Sequence, residues 1–380
     1  MIKKIIAWLH LWLGLITGII VIVLSVTGCV LVFEQEIKSL SSPWLHVEKP
    51  IDGVVLPPSE LYRAVEKIVP NKKINSVWYH GAEHTASFNT GSDSLIYVNP
   101  YTGEIVAIVD HEDFFHFIED GHFHLWLPEQ IGEPIVGWSM VILFVLLITG
   151  IVLWWPKKWN KSGKKKAFQI KWKAKFKRVN YDLHNVLGFY SLIIVLLMVL
   201  TALIMCFSWF SKGVYWASGG GPLPEYVVAA SDTTYLDTAN YRQSTGLSQV
   251  DKAWHMVINE IGEYNPEQII VSFPSKGTDA IYLCADMHGG SWRDLYVDQY
   301  TLDILPNSQS KMRDEEFAVW LRRSNFALHV GAFGGLTTKI IYFFSSLICA
   351  SLPITGFYIW YGRKKKAAKK KKIKSELIIS

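Results

Sequence analysis

Four runs of apolar residues, at 9–33, 134–155, 184–210 and 336–361, constrain this 380-residue chain more than any other feature. About 20 apolar residues in helical form cross the ~30 Å hydrocarbon layer of a bilayer. Lipid offers the backbone no hydrogen-bond partner, so such runs cross as helices. The expected fold is therefore an all-α four-helix transmembrane bundle in contact with the lipid bilayer. Tryptophan, with 16 residues, is abundant enough to supply interfacial belts. Trp8 and Trp12 border the first run, and Trp154, Trp155 and Trp159 border the second. Lys3 and Lys4 precede the first run as in a signal peptide. That run is too long for one, however, and Phe-Glu-Gln-Glu at 33–36 offers no small-residue cleavage site. An uncleaved first span is expected.

Lysine sets the orientation. Segment 156–183 contains KKWNKSGKKK and KWKAKFKR, and the tail 362–380 contains RKKKAAKKKKIK. By the positive-inside rule both segments and the N-terminus lie in the cytoplasm. Juxtamembrane lysines already have a topogenic and lipid-contact role, so no nucleic-acid partner is inferred. The chain divides into a first span within 1–33, an outer connection 34–133, a second span 134–155 and a basic loop 156–183. A third span 184–210, an outer connection 211–335, a fourth span 336–361 and the tail 362–380 follow. Both outer connections are long enough for small α+β domains. Cys284 is the only cysteine outside the spans, so no disulfide framework is expected there.

The chain repeats itself. LHLWLGLITGII (9–20) aligns with LHNVLGFYSLII (183–194), and ITGIVLWWPKK (148–158) with ITGFYIWYGRKK (354–365). Between the spans, IYVNPYTGEIVAIV (96–109) aligns with LYVDQYTLDILPNS (295–308). Each half reads span, helix, strands, span. The helices are expected at 57–69 and 247–262. The strands are expected in NSVWYH, ASFNT, QIIVSF, AIYLCAD and DLYVDQY, with a strand-turn-strand in each of the aligned segments 96–109 and 295–308.

A histidine stands at the edge of each apolar run: His10, His124, His184 and His329. Ionisable groups bordering lipid are costly and are functional candidates by default. The repeat matches His10 to His184 and places His124 one residue from His329. Two bis-imidazole metal sites, most simply two b-type haems, follow from such pairs: His10/His184 inside and His124/His329 outside. The tetrapeptide His-Leu-Trp-Leu at 10–13 and again at 124–127 favours His124, while His111, His116 and His122 remain rivals for the outer position. Gly14, Gly18, Gly188, Gly331, Gly334 and Gly335 leave room for a flat macrocycle or for close helix packing. The acidic residues Glu112, Asp113, Glu119 and Asp120 either attract a cationic substrate or form a solvated loop. No catalytic acid or base is assigned.

The YVNPYTGEI motif, the WLHLWLG opening and the histidine before each even-numbered span resemble the PepSY-associated transmembrane family, over about 3–365. Within it the chain resembles the di-haem inner-membrane siderophore reductases. The resemblance implies a four-helix bundle of two pseudo-repeats carrying two haem b, with two outward-facing PepSY domains. It also implies an oxidoreductase of a bacterial inner membrane that reduces a ferric siderophore or other Fe(III) chelate in the periplasm. Tyr-Thr-Leu-Asp (300–303) departs from Tyr-Thr-Gly-Glu (101–104), which weakens the match in the second outer domain.

No CxxCH, GxGxxG after a strand, Walker A, HExxH or GxSxG sequence occurs. Covalent haem attachment and peptidase or serine hydrolase chemistry are disfavoured. The cytoplasmic segments are too short for a flavin or nicotinamide domain, so electrons come from a cytoplasmic flavoprotein, a reduced flavin or a quinol. Two other readings remain: a haem-free regulator of peptidases, and a quinol-linked carrier feeding a partner protein.

Overall fold

The structure, a computed structural model, describes all residues except 71, 92–93, 111–112, 226, 236–242, 263–266 and 380. The chain forms two compact units. The helical unit comprises 1–33, 117–213 and 328–380; the sheet unit comprises 34–116 and 214–327.

In the helical unit, four helices are long and apolar enough to cross a membrane: Ile2–Leu31, Glu129–Trp154, Phe176–Cys206 and Ala332–Lys366. All four begin before the predicted spans, and the fourth also ends beyond its own, where Arg363–Lys366 continues in good helix formers. The first helix packs against the second and the fourth, and the third packs against the same two. First and third therefore face each other across the middle of a four-helix ring. Val21, Leu24, Met140, Val195, Val199, Leu203 and Cys349 fill the ring's centre. Gly18 lets the ring of Pro353 approach, since a Cβ there would lie 3.1 Å from the proline Cβ. The third helix widens into a π turn at Leu183–Leu187, a feature that re-aims side chains and recurs at functional sites.

The sheet unit holds seven antiparallel strands: β1 (Ser76–His80), β2 (Ala86–Asn89), β3 (Ser94–Val98), β4 (Ile105–Asp110), β5 (Gln268–Ser272), β6 (Ile281–His288) and β7 (Ser291–Val297). Their order is β4-β3-β2-β1-β5-β6-β7. The two connections thus contribute to one sheet, joined where β1 pairs with β5 from Ser76↔Ser272 to His80↔Gln268. The expectation of two separate domains does not describe this unit. Inward-facing Val77, Phe88, Ile96, Val271, Leu283 and Leu295 are buried under helices Pro58–Ile68 and Gln243–Met256. The alternating burial along β1 and β5 is what one covered face requires.

The departure at 300–303 costs conformational strain but does not change the turn. Gly103 has φ +74° and Leu302 φ +65°. The Gly103 amide donates to Asn99 O at 2.9 Å, and the Leu302 amide to Asp298 O at 3.0 Å. Asn99 and Asp298 each accept, through Oδ1, the amide two residues on. A left-handed leucine costs about 1–2 kcal/mol, and partial packing of Leu302 against the core offsets it.

Candidate metal-binding histidine pairs

His10 lies on the first helix and His184 in the π turn of the third, the two helices that face each other. Their ring centroids are 6.4 Å apart with planes at 88°. Both rings line a cavity of about 380 Å³ that also touches Gly14, Gly18, Gly188, Trp360 and Arg363.

The second pair is His122 and His329, with centroids 6.5 Å apart and planes at 62°. The sequence favoured His124 over its rival His122, and the structure places them differently. His124 Nδ1 lies 3.1 Å from Asp120 Oδ1, and its Nε2 lies 3.9 Å from Glu133 Oε1. The two copies of the shared tetrapeptide fold differently. Residues 10–13 are helical, whereas at 124–127 the helix Phe114–His124 ends and Leu125 and Trp126 take φ +58° and +56°. His116 is exposed, and its amide donates to Asp113 Oδ1. His111 and Glu112 lie outside the described residues. Asp113 pairs with Lys38 at 3.0 Å.

Each paired imidazole is held by a threonine of a neighbouring helix. The Nδ1···Oγ1 distances are 2.8 Å for His10–Thr149, 2.8 Å for His122–Thr27, 2.9 Å for His184–Thr355 and 2.9 Å for His329–Thr201. The residue after each threonine is small: Gly28, Gly150, Ala202 and Gly356. A Cβ at Gly28, Gly150 or Gly356 would come within 3.3–3.4 Å of the imidazole Cε1 it faces. Sequence reasoning aligned the Ile-Thr-Gly at 148–150 and 354–356 without assigning those threonines a role. The recurring Thr-Gly at one helical face was the available signal.

A first-row metal ion lies ~2 Å from an imidazole nitrogen, so one ion shared by two facing rings sets their centres roughly 6 Å apart. Both pairs fit that requirement. Each offers two histidines and no third ligand: among the described residues no cluster of three or more His, Cys, Asp or Glu suited to a metal occurs. Two imidazoles at this spacing would suit an ion whose other positions are filled by a macrocycle, and the cavity lined by Gly14, Gly18 and Gly188 would leave room for a flat one.

Gly331 and Gly335 have φ +72° and +62° and turn the chain into the fourth helix. A second cavity, about 340 Å³, lies in the sheet unit beside Tyr79, His80, His84, Trp254, His255 and Glu267.

Four apolar helices with histidines paired across their ring define a polytopic membrane protein. The chain belongs to the family described as the PepSY-associated TM region, which matches residues 7–363. Among curated proteins no match is found.

Proposed function

We propose that the chain passes electrons across a bacterial inner membrane and reduces a ferric siderophore or other Fe(III) chelate in the periplasm. In this reading both termini are cytoplasmic, as the lysines of 156–183 and 362–380 favour. The sheet unit is then a pair of PepSY domains fused edge to edge, one from each pseudo-repeat. Two b-type haems would be held by His10 with His184 and by His122 with His329, and when bound they supply one-electron chemistry. The observation that supports this most is that both histidine pairs have the same spacing and the same threonine support.

The chain's residues position and insulate; none needs to touch the iron of the substrate. The apolar packing of Val21, Leu24, Val199 and Leu203 keeps water from the middle of the bundle. A quinol or reduced flavin releases two electrons and two protons, enough for two Fe(III) chelates. The resulting Fe(II) matches hard oxygen donors less well and leaves the chelate more readily.

Visible spectra of the purified protein with and without dithionite test the reading. A Soret band with sharp reduced α and β bands is expected, and a colourless preparation would sink it. Reoxidation of the reduced protein on adding a ferric siderophore is expected of a reductase. Its absence, with haem present, favours a carrier that serves a partner protein.

A further inference from the structure

We infer that Thr27, Thr149, Thr201 and Thr355 are positioning residues that lock the four imidazoles in the Nδ1–H tautomer and so present Nε2 as the metal ligand. The inference rests on the histidine-pair reading above and specifies which ring nitrogen binds and what selects it.

The direction of each hydrogen bond follows from the threonine's single proton. Thr149 Oγ1 donates to Val145 O at 2.8 Å, Thr27 to Val23 O at 2.9 Å, Thr201 to Leu197 O at 2.8 Å and Thr355 to Ser351 O at 3.0 Å. These are the i−4 bonds typical of threonine within a helix. With its proton so used, each Oγ1 has only lone pairs for the imidazole, so Nδ1 must carry the hydrogen. Carbonyls agree, since they can only accept. Leu352 O and Met198 O lie 3.1 Å from Nδ1 of His184 and His329. The backbone of Leu146 and of Leu24 also hydrogen-bonds the rings of His10 and His122. Four independent rings therefore share one tautomer, with the Nε2 lone pair free.

The contacts also have a pattern. Thr149 of the second helix holds His10 of the first, and Thr27 of the first holds His122, just before the second. The third and fourth helices exchange the same pair of contacts through Thr355–His184 and Thr201–His329. Each half thus orients its own two imidazoles, while each metal takes one imidazole from each half. A ligand's other N–H is ordinarily held by such a partner, and losing it weakens metal binding 10–100-fold.

The test uses the full-length protein with Thr149→Val, Thr355→Val, Thr27→Val and Thr201→Val, each beside its Thr→Ser counterpart. Haem transfer to excess apomyoglobin is followed, together with the reduced α band and the midpoint potential. Each valine variant is expected to lose one haem roughly 10–100-fold faster and to shift that haem's potential, with serine restoring both. Unchanged transfer rates and potentials in the valine variants would overturn the inference. Nitrogen-15 spectra of ring-labelled histidine in haem-free protein give a second readout. Protonated Nδ1 with bare Nε2 is expected, and the opposite tautomer overturns the inference even if the wild type binds no haem. A wild type without haem overturns the proposed function alone.

Discussion

The ring centres of His122 and His329 lie 6.5 Å apart, and the next residue, Phe123, is turned outward at 51% exposure. Successive positions on the helix Phe114–His124 thus point to different sides, and only one of the two nearby histidines can meet His329. His122→Ala is expected to remove half of the bound haem, and His124→Ala to leave both haems in place. Pyridine haemochrome absorbance per polypeptide checks this. Equal loss in the two variants would contradict the assignment.

At the other pair, His10→Ala and His184→Ala should each remove the same haem, so the double variant loses no more than either single one. Additive loss in the double variant, read by the same absorbance, would show that the two rings do not share one ion.

Asp182 is fully buried and accepts from Arg178 Nε at 2.9 Å and from the Lys171 amide at 3.2 Å. Arg178 keeps a third of its side-chain exposure. Asp182→Ala is therefore expected to cost roughly 2–3 kcal/mol, below the 3–5 kcal/mol of a fully buried pair. Thermal unfolding in detergent reads it as a lowered midpoint.

Gly103 offers a test of backbone strain alone. Its Cβ position has ordinary room, 3.6 Å from Leu56 Cδ1, but its φ is +74°. Gly103→Ala should destabilise the protein by about 1 kcal/mol through the left-handed conformation. A neutral result would mean that the turn relaxes.

Burial, with His84 nearby, lowers the His80 pKa from 6.5 to about 4. The folded state thus binds the proton less readily than the unfolded one. The stability tied to neutral His80 is complete above pH 6.5 and is lost as pH falls towards 4. The loss amounts to roughly 3 kcal/mol at most. His80→Gln should flatten that slope in denaturant titrations of the full chain between pH 7 and 4; an unchanged slope would exclude His80 as its source.

The four spans were legible because about twenty apolar residues in a row have few alternatives. The strands from Ser76–His80 through Ser291–Val297 were legible from β-branched and aromatic alternation. Their fusion was not, because β1–β5 pairing joins segments far apart in sequence and depends on open edges that no local pattern records. The inner pair His10/His184 could be proposed from the repeat. That His122 and not His124 faces His329 was not legible, since Leu125 and Trp126 leave the helix in a left-handed turn that ordinary side chains rarely announce. The threonines were visible only as part of aligned segments, and their role emerged once neighbouring helices set Oγ1 against Nδ1.

The β1–β5 seam also imposes a schedule on biosynthesis. The strand Ser76–His80 is complete while its partner Gln268–Ser272 is still nearly half a chain from being made. At 5–20 residues per second the nascent protein waits on the order of 10–40 s with that edge unpaired. An unpaired edge is a template for any extended strand. A short peptide copying Gln268–Ser272 should therefore compete with the chain's own strand during synthesis and be excluded from the finished protein.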